Sequence, residues 1–462
     1  MSFSRFLLGG VALAGAGLVL AACGPESEAP SPAAAPDKPN IVLILADDLG
    51  WTDISSYGSD LYQTPHIDGL AAEGVRFTDA YAAAAICSPT RASIMTGKTP
   101  ARLHLTNYIA GDKPLKLQPP EWTTYLPLEE VTIAEALKSA GYATGHFGKW
   151  HLNKDKNYEP GRPMDPGSQG FDVVLTTHKP PRDADPAGDA HHVKEITAAA
   201  VAFMEENRDR PFFNYVSHNT VHRPVIGRPD LVEDYEKKVQ ADAIHQNAKY
   251  AAMVHEMDDS VGRILAKIDE LGLTEKTLVI FTSDNGGFLG DEKDDATINT
   301  PLRAGKGHSY EGGIRVPTIV RWPGVTPAGR ETAEPTSSID FYPTLLAVAG
   351  APGDEAHNAG VDGISLVPLL KDPSTTLGRE ALYWHYPHYS PQEGLPSGAI
   401  RVGDLKLVEF FEDMHVELYD LSKDIGESQD LSEEMPEKAA ELRDRLHAWR
   451  EAVGAQMPTP AP

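Results

Sequence analysis

The sequence predicts an α/β protein: a sheet with helices on both faces, followed by a smaller antiparallel sheet closed by a helix. Three observations carry this. Apolar runs of strand length alternate with helical stretches between residues 40 and 283, the pattern of a sheet covered on both sides. After about Lys371 alanine-rich helices give way to short aromatic segments at 381–389, 398–411 and 416–419, with Gly403-Asp404 and Glu412-Asp413 in the turns. An amphipathic helix is expected over 436–452. The division is therefore a large domain over 39–370 and an α+β subdomain over 371–462.

Ahead of both, residues 1–22 carry Arg5, an apolar stretch over 6–20 and small residues. This is the layout of an export signal, too short and wrongly flanked for a membrane span. Its end, Leu20-Ala21-Ala22-Cys23-Gly24, resembles a bacterial lipobox, which implies a lipid on Cys23 that anchors the exported chain to a membrane of the envelope. Residues 23–38, mostly Pro, Ala, Ser and Glu, read as a flexible tether. Cys23 and Cys87 are the two cysteines, so a lipidated Cys23 leaves no intramolecular disulfide and the fold rests on its core. The balance of 67 Asp and Glu against 41 Lys and Arg excludes a nucleic-acid partner, and an anionic ligand must be captured by local cations.

The elements follow in order. The run Asn40-Ile41-Val42-Leu43-Ile44-Leu45-Ala46 is a strand covered on both faces, and Asp47-Asp48 sits at its end, where open α/β sheets bind ligands. A helix is expected over 65–73. Another begins at Ile86-Cys87-Ser88-Pro89, with Ser88 as cap, Pro89 in the first turn and Gly97 as the stop. An anion beside Cys87 would meet the free N–H groups of that helix start. A helix over 132–140 and a strand over 143–147 lead into Gly148-Lys149-Trp150-His151. A helix over 193–207, a strand over 212–217, a helix over 248–271 and a strand over 278–283 lead into Ser283-Asp284-Asn285-Gly286-Gly287.

The chemistry collects at the strand ends. Asp47, Asp48, Asp284 and Asn285 offer hard oxygens, suited to calcium or magnesium and poorly suited to zinc. Arg91, one helical turn after Cys87, is expected to return its guanidinium toward that side chain. Lys149 and His151, two apart, point to one side if the chain is extended. Lys306 lies in a glycine-rich loop over 303–317, and His218 and His222 follow a strand. His178, His191 and His192 fall in a Pro-rich segment expected at the mouth of the site, and the aromatic segment 383–389 is a candidate platform for a sugar ring.

The pattern Cys87-x-Pro89-x-Arg91 resembles the maturation signature of the formylglycine-dependent sulfatases. Asp47-Asp48, 87–97, 148–151, Asp284-Asn285, 305–317, 339–346 and 418–421 occur in the order and character of that family. The resemblance implies an alkaline-phosphatase-like fold with a large mixed sheet and hydrolysis of sulfate monoesters, with the carbohydrate exo-sulfatases as the nearest in character. It implies that a maturation enzyme converts Cys87 to formylglycine, whose hydrate attacks sulfur, and that Asp47, Asp48, position 87, Asp284 and Asn285 hold a calcium or magnesium ion. Arg91 and Lys149 then hold the hydrate and the sulfate, Lys306 and His222 bind sulfate and assist the departing alcohol, and His151 takes the proton that releases sulfate. His222 matches the family's histidine better than His218. One departure stands out: after Gly170-Phe171-Asp172 no residue matches a further polar contact to the sulfate. Two other readings use the same residues, a phosphate mono- or diester hydrolase on this fold and a non-catalytic lipoprotein that binds sulfated glycans.

Overall fold

The computed structural model describes residues 38–109, 111, 114–291 and 294–462. The export signal, Cys23 and residues 23–37 of the tether lie outside the described residues. The apolar run Asn40–Ala46 forms a strand (β1) that is buried along its whole length. Alternation decides what covers it. Val42, Ile44 and Ala46 pack with the helices Pro65–Glu73 (α1), Val193–Glu206 (α4) and Ala248–Glu270 (α5). Ile41, Leu43 and Leu45 pack on the other face with Cys87–Thr96 (α2), Ile133–Ser139 (α3) and Phe341–Ala349 (α6).

β1 lies inside an eight-stranded sheet. Its other strands are Val75–Phe77 (β2), Ala143–Gly148 (β3), Val173–Thr176 (β4), Phe212–Ser217 (β5), Thr277–Ser283 (β6), Thr318–Arg321 (β7) and Arg330–Thr332 (β8). The order is β8-β2-β7-β6-β1-β5-β3-β4. β1 pairs in parallel with β5 and β6, and β3 pairs in parallel with β5 and β4. β7 is antiparallel to both of its neighbours, which makes the sheet mixed. Consequently β6, β1, β5 and β3 all deliver their C-terminal ends to one edge.

The C-terminal segments form a separate antiparallel sheet from Leu382–Tyr386 (β9), Ser397–Val402 (β10), Leu405–Phe410 (β11) and Val416–Asp420 (β12), covered by the helix Pro436–Val453 (α7). Its far face buries Ile400, Leu407 and Leu418 under Leu442 and Leu446 of α7. Its near face packs Trp384, Ala399 and Val408 against Tyr81, Ala85 and Ile314. Lys406 stands at that junction with no exposure, its Nζ 2.9 Å from Glu311 and 2.8 Å from Glu427. Removing one member of so buried a network would strand the others uncompensated, so it fixes how the two sheets meet.

Candidate active site

Four adjacent strand ends and one helix start converge. Asp47 and Asp48 follow β1, Lys149 follows β3, Ser217 ends β5 and Asp284 follows β6. Cys87 opens α2, preceded by Ile86 in extended conformation (φ −151°, ψ 151°). Ser88 does not cap this helix; its Oγ accepts the Ile109 N–H at 3.2 Å, because the first helical residue is already Cys87 and Ser88 lies inside the turn. Gly97 ends the helix as expected, in the left-handed region at φ 71°. Cys87 is buried, with Ile86 and Tyr386 packed around it.

The carboxylates and cations pair around this point. Lys149 Nζ donates to both Asp47 oxygens at 2.8 Å, and Lys306 Nζ donates to Asp48 at 2.6 and 2.8 Å. Burial favours the neutral forms of Lys306 and Asp48, but their attraction outweighs it: the ammonium is held above and the carboxyl well below its ordinary range. Arg91 has no solvent exposure and makes contacts beyond the expected one. Its Nε donates to Asp284 Oδ2 at 2.8 Å and its Nη1 to Ser217 Oγ at 2.6 Å and the Lys149 carbonyl at 3.1 Å. The guanidinium therefore positions Asp284 and two strand ends, with Cys87 among its electrostatic neighbours.

Lys149 and His151 do face the same cavity, but not through an extended chain. Gly148 (φ 117°) and His151 (φ 56°) turn the backbone there. His151 Nδ1 comes within 3.3 Å of Cys87 Sγ, and burial, then Lys149 and Arg91, hold its pKa well below the usual histidine value. His222 Nδ1 is 2.6 Å from the Arg223 carbonyl, which can only accept, so Nδ1 carries the proton. Burial holds this ring well below its ordinary pKa despite Asp48, which leaves an Nε2 lone pair 3.7 Å from Asp48 Oδ2. His218 instead is buried against Ser260 Oγ at 3.1 Å, away from the site.

Two acceptors facing each other call for a cation. Ligand atoms of Asp47, Asp48 and His222 lie within 4.8 Å of one another, a group that includes His222 and leaves out Asp284 and Cys87, both expected as ligands. Asp284 accepts the Asp48 N–H at 3.1 Å, and burial with neighbouring Asp47 keeps its carboxyl above the ordinary range even beside Arg91. Asn285 donates through Nδ2 to Asp48 Oδ1 at 2.8 Å, while its buried Oδ1 has no hydrogen-bond partner. An orphaned amide oxygen among clustered carboxylates fits a hard divalent cation.

Asp47, Asp48, Cys87, Lys149, His151, His222 and Lys306 line a cavity of about 860 Å³. His178 borders it, but His191 and His192 do not: His191 is buried, and His192 pairs with Glu195 at 2.8 Å. The aromatic segment fails as a platform. Tyr383 stacks on Trp449 with centroids 4.8 Å apart, Trp384 donates to the Ala82 carbonyl, and residues 383–389 are absent from the described cavity wall. Pro391 and Gln392, just beyond them, do border it. Sequence reasoning missed Asn153, Lys154, Lys156, Lys179, Arg223 and Phe288, all on the wall. Lys179, next to His178 and followed by Pro180-Pro181, was signalled by the same Pro-rich segment.

The fold and the site define a hydrolase of anionic esters, with a buried residue at a helix start, paired cations and an oxygen-rich metal pocket. The "Sulfatase" family model matches residues 39–351, and the model "N-sulphoglucosamine sulphohydrolase, C-terminal" matches residues 305–452. A sulfatase of Formosa agariphila is 34% identical, covering 89% of this chain and 88% of its own. Human arylsulfatase A is 35% identical over 85% of this chain and 83% of its own. Among solved structures, Ps i-CgsB superposes with a TM-score of 0.75 at 28% identity, over 90% of this chain and 93% of its own. The chain belongs to the sulfatase family and is a sulfuric ester hydrolase of the alkaline-phosphatase-like fold. Members of this family use formylglycine and a divalent cation.

Proposed function

We propose that this sulfatase releases sulfate from carbohydrate sulfate monoesters, with formylglycine made from Cys87 by a maturation enzyme and calcium, or magnesium, between Asp47, Asp48, Asp284, Asn285 and His222. The polar wall around Cys87 carries the carbohydrate assignment. Asn153, Asn157 and Gln392 offer amides and Lys154, Lys156 and Lys179 offer ammonium groups to hydroxyls and anions, and Tyr108, Ile109, Pro180 and Phe288 offer apolar wall to the face of a sugar ring. Two relatives support it: Ps i-CgsB has been crystallised with k-i-k-neocarrahexaose, and the N-acetylgalactosamine-6-sulfatase of dog is 33% identical over 76% of this chain and 69% of its own.

A hydrated formylglycine supplies the hydroxyl that attacks sulfur, and a divalent cation supplies charge to stabilise it. The chain's own residues do the rest. Lys149 and Lys306 offer ammonium protons to sulfate oxygens while remaining anchored on Asp47 and Asp48. His151 Nδ1 lies 3.3 Å from Cys87 Sγ and would be placed to take a proton from a hydroxyl carried by position 87. Its depressed pKa keeps it a base at neutral pH. His222 Nε2 faces the same pocket from the side of Asp48.

Phosphonate monoester hydrolase of Agrobacterium radiobacter shares the fold, with a TM-score of 0.69 at 21% identity. The test therefore combines peptide mass spectrometry across Cys87 with release from N-acetylgalactosamine 6-sulfate and its 6-phosphate. The aldehyde or its hydrate and faster sulfate release are expected. An unmodified thiol with no release, or faster phosphate release, would overturn the reading. The proposal extends to location: an exported chain lipidated at Cys23 and held at an envelope membrane. No described helix is long and apolar enough to cross a membrane. Cys23→Ala should move the protein from the membrane to the soluble fraction; unchanged membrane association would refute the anchor.

A further inference from the structure

Ser88 follows Cys87 directly and is fully buried, yet it does not cap the helix it stands in. Its Oγ instead accepts the N–H of Ile109, 21 residues further along the chain, at 3.2 Å. The carbonyl of that same residue faces His151, whose Nε2 lies 3.4 Å from it. A carbonyl oxygen can only accept, so Nε2 carries the proton, and a neutral imidazole has one N–H. Nδ1, 3.3 Å from Cys87 Sγ, is therefore left with its lone pair toward position 87.

That choice of tautomer depends on where Ile109 stands. At 3.4 Å the hydrogen bond to its carbonyl is long, and a further retreat would lose it. His151 has little freedom to follow, because its backbone sits in the left-handed region at φ 56°, a conformation its surroundings must hold. Two buried side chains fix the peptide. Ser88 holds the Ile109 N–H from the first turn of α2. Asn107, also without exposure, accepts the Tyr108 N–H at 2.9 Å and donates to the Gly111 carbonyl at 2.6 Å, on either side of Ile109. Ser88 and Cys87 are neighbours at one helix start, so the reacting position and the anchor of its base are one rigid piece.

We infer that Ser88 is a positioning residue for the sulfatase reaction: through the Ile109 peptide it fixes the tautomer of His151 that presents a free Nδ1 to position 87. This rests on the reading of His151 as the base that takes a proton from a hydroxyl at position 87. In the other tautomer Nδ1 would already carry a proton and could accept none. The arrangement also serves after the transfer. The proton enters at Nδ1, and the Nε2–H of the resulting imidazolium still donates to the Ile109 carbonyl. A base held by a hydrogen bond at its far nitrogen is the logic by which third members of catalytic triads act.

The experiment compares wild-type, Ser88→Ala and Ser88→Thr enzymes by two readouts. The first is steady-state hydrolysis of 4-nitrophenyl sulfate, whose good leaving group lets the later release of sulfate weigh on kcat. Rates are expressed per formylglycine, counted by peptide mass spectrometry, because Ser88 stands inside the maturation signature. The second is nitrogen NMR of protein with isotope-labelled histidine, in which protonated and unprotonated ring nitrogens resonate apart and His151→Gln protein identifies the His151 signals. Wild-type protein should show the Nε2–H form. Ser88→Ala should lower kcat about 10-fold while KM changes by less than about 2-fold, and should show both tautomers. Ser88→Thr, which keeps the hydroxyl, should restore the rate and the single form. A Ser88→Ala enzyme that keeps the wild-type rate, or that loses rate while His151 stays wholly in the Nε2–H form, would overturn the positioning role. Failure of the base reading is distinct: His151→Gln enzyme would then turn over normally, while the ring signals still decide the tautomer.

Discussion

Lys306 holds both oxygens of Asp48 and lies on the cavity wall, so it serves metal pocket and sulfate together. Lys306→Ala should lower kcat by about 10²–10³-fold, the usual loss for one preorganised charge; a loss below 10-fold in a steady-state assay would contradict this. The orphaned Asn285 Oδ1 makes a second prediction. Chelation should lower the melting temperature as well as the activity, and calcium should restore both, since a ligand bound only to the folded state stabilises it by about 4 kcal/mol at a thousandfold excess over Kd. An unchanged melting temperature would count against a resident cation. Asp47, Asp48, Lys149, Asp284 and Asn285 were legible in the sequence because each follows an apolar strand, and Cys87 and Lys306 because a helix start and a glycine-rich loop mark them. Arg91 was found but its partner was not: helical spacing says which side chains are near one another, and only the sheet order reveals that β6 brings Asp284 into reach. Lys179 and Arg223 escaped because a lysine in irregular chain carries no period that separates it from a solvated surface charge.

At the scale of elements, the site depends on how closely β3 and β5 approach. A Cβ on Gly148 would stand 1.8 Å from the Ser217 carbonyl oxygen, and the residue sits at φ 117°. That carbonyl accepts the Lys149 N–H at 2.8 Å, so the contact that excludes a side chain also aims Lys149. Gly148→Ala should cost about 3 kcal/mol or more and most of the activity, read from the urea midpoint and turnover; a wild-type midpoint would show that the strands can part. Strand reading was sound here because burial on both faces makes the runs continuous. Phe212–Ser217 matches its expected span, and α4 and α5 each end one residue short of theirs. The segment 383–389 misled because aromatic alternation describes a packed sheet and a ligand platform equally well. What decides is the partner, and α7 supplies Trp449.

Over the whole molecule, buried titratable groups tie stability to pH. Among the described residues, burial holds nine histidines, 146, 151, 178, 191, 218, 222, 255, 308 and 385, below the ordinary value of 6.5. Burial also holds five carboxyls, Asp53, Glu256, Asp258, Asp284 and Glu427, above their ordinary values. The two sets act in opposite directions. As pH falls through 6.5 the unfolded chain gains the histidine protons and the folded chain does not, which favours unfolding. The raised carboxyls gain protons first in the folded chain, which favours folding. Nine against five leaves the unfolded state with the larger uptake, and each unmatched proton is worth about 1.4 kcal/mol per pH unit. The melting temperature should therefore fall by about 5 °C or more between pH 7.5 and pH 5; a flat or rising profile would refute the balance. His151 belongs to the depressed set, so burial, then Lys149 and Arg91, hold the titration of the base below that of an ordinary histidine. Activity should then be lost on acidification together with the fold, and not at the ordinary titration of a histidine.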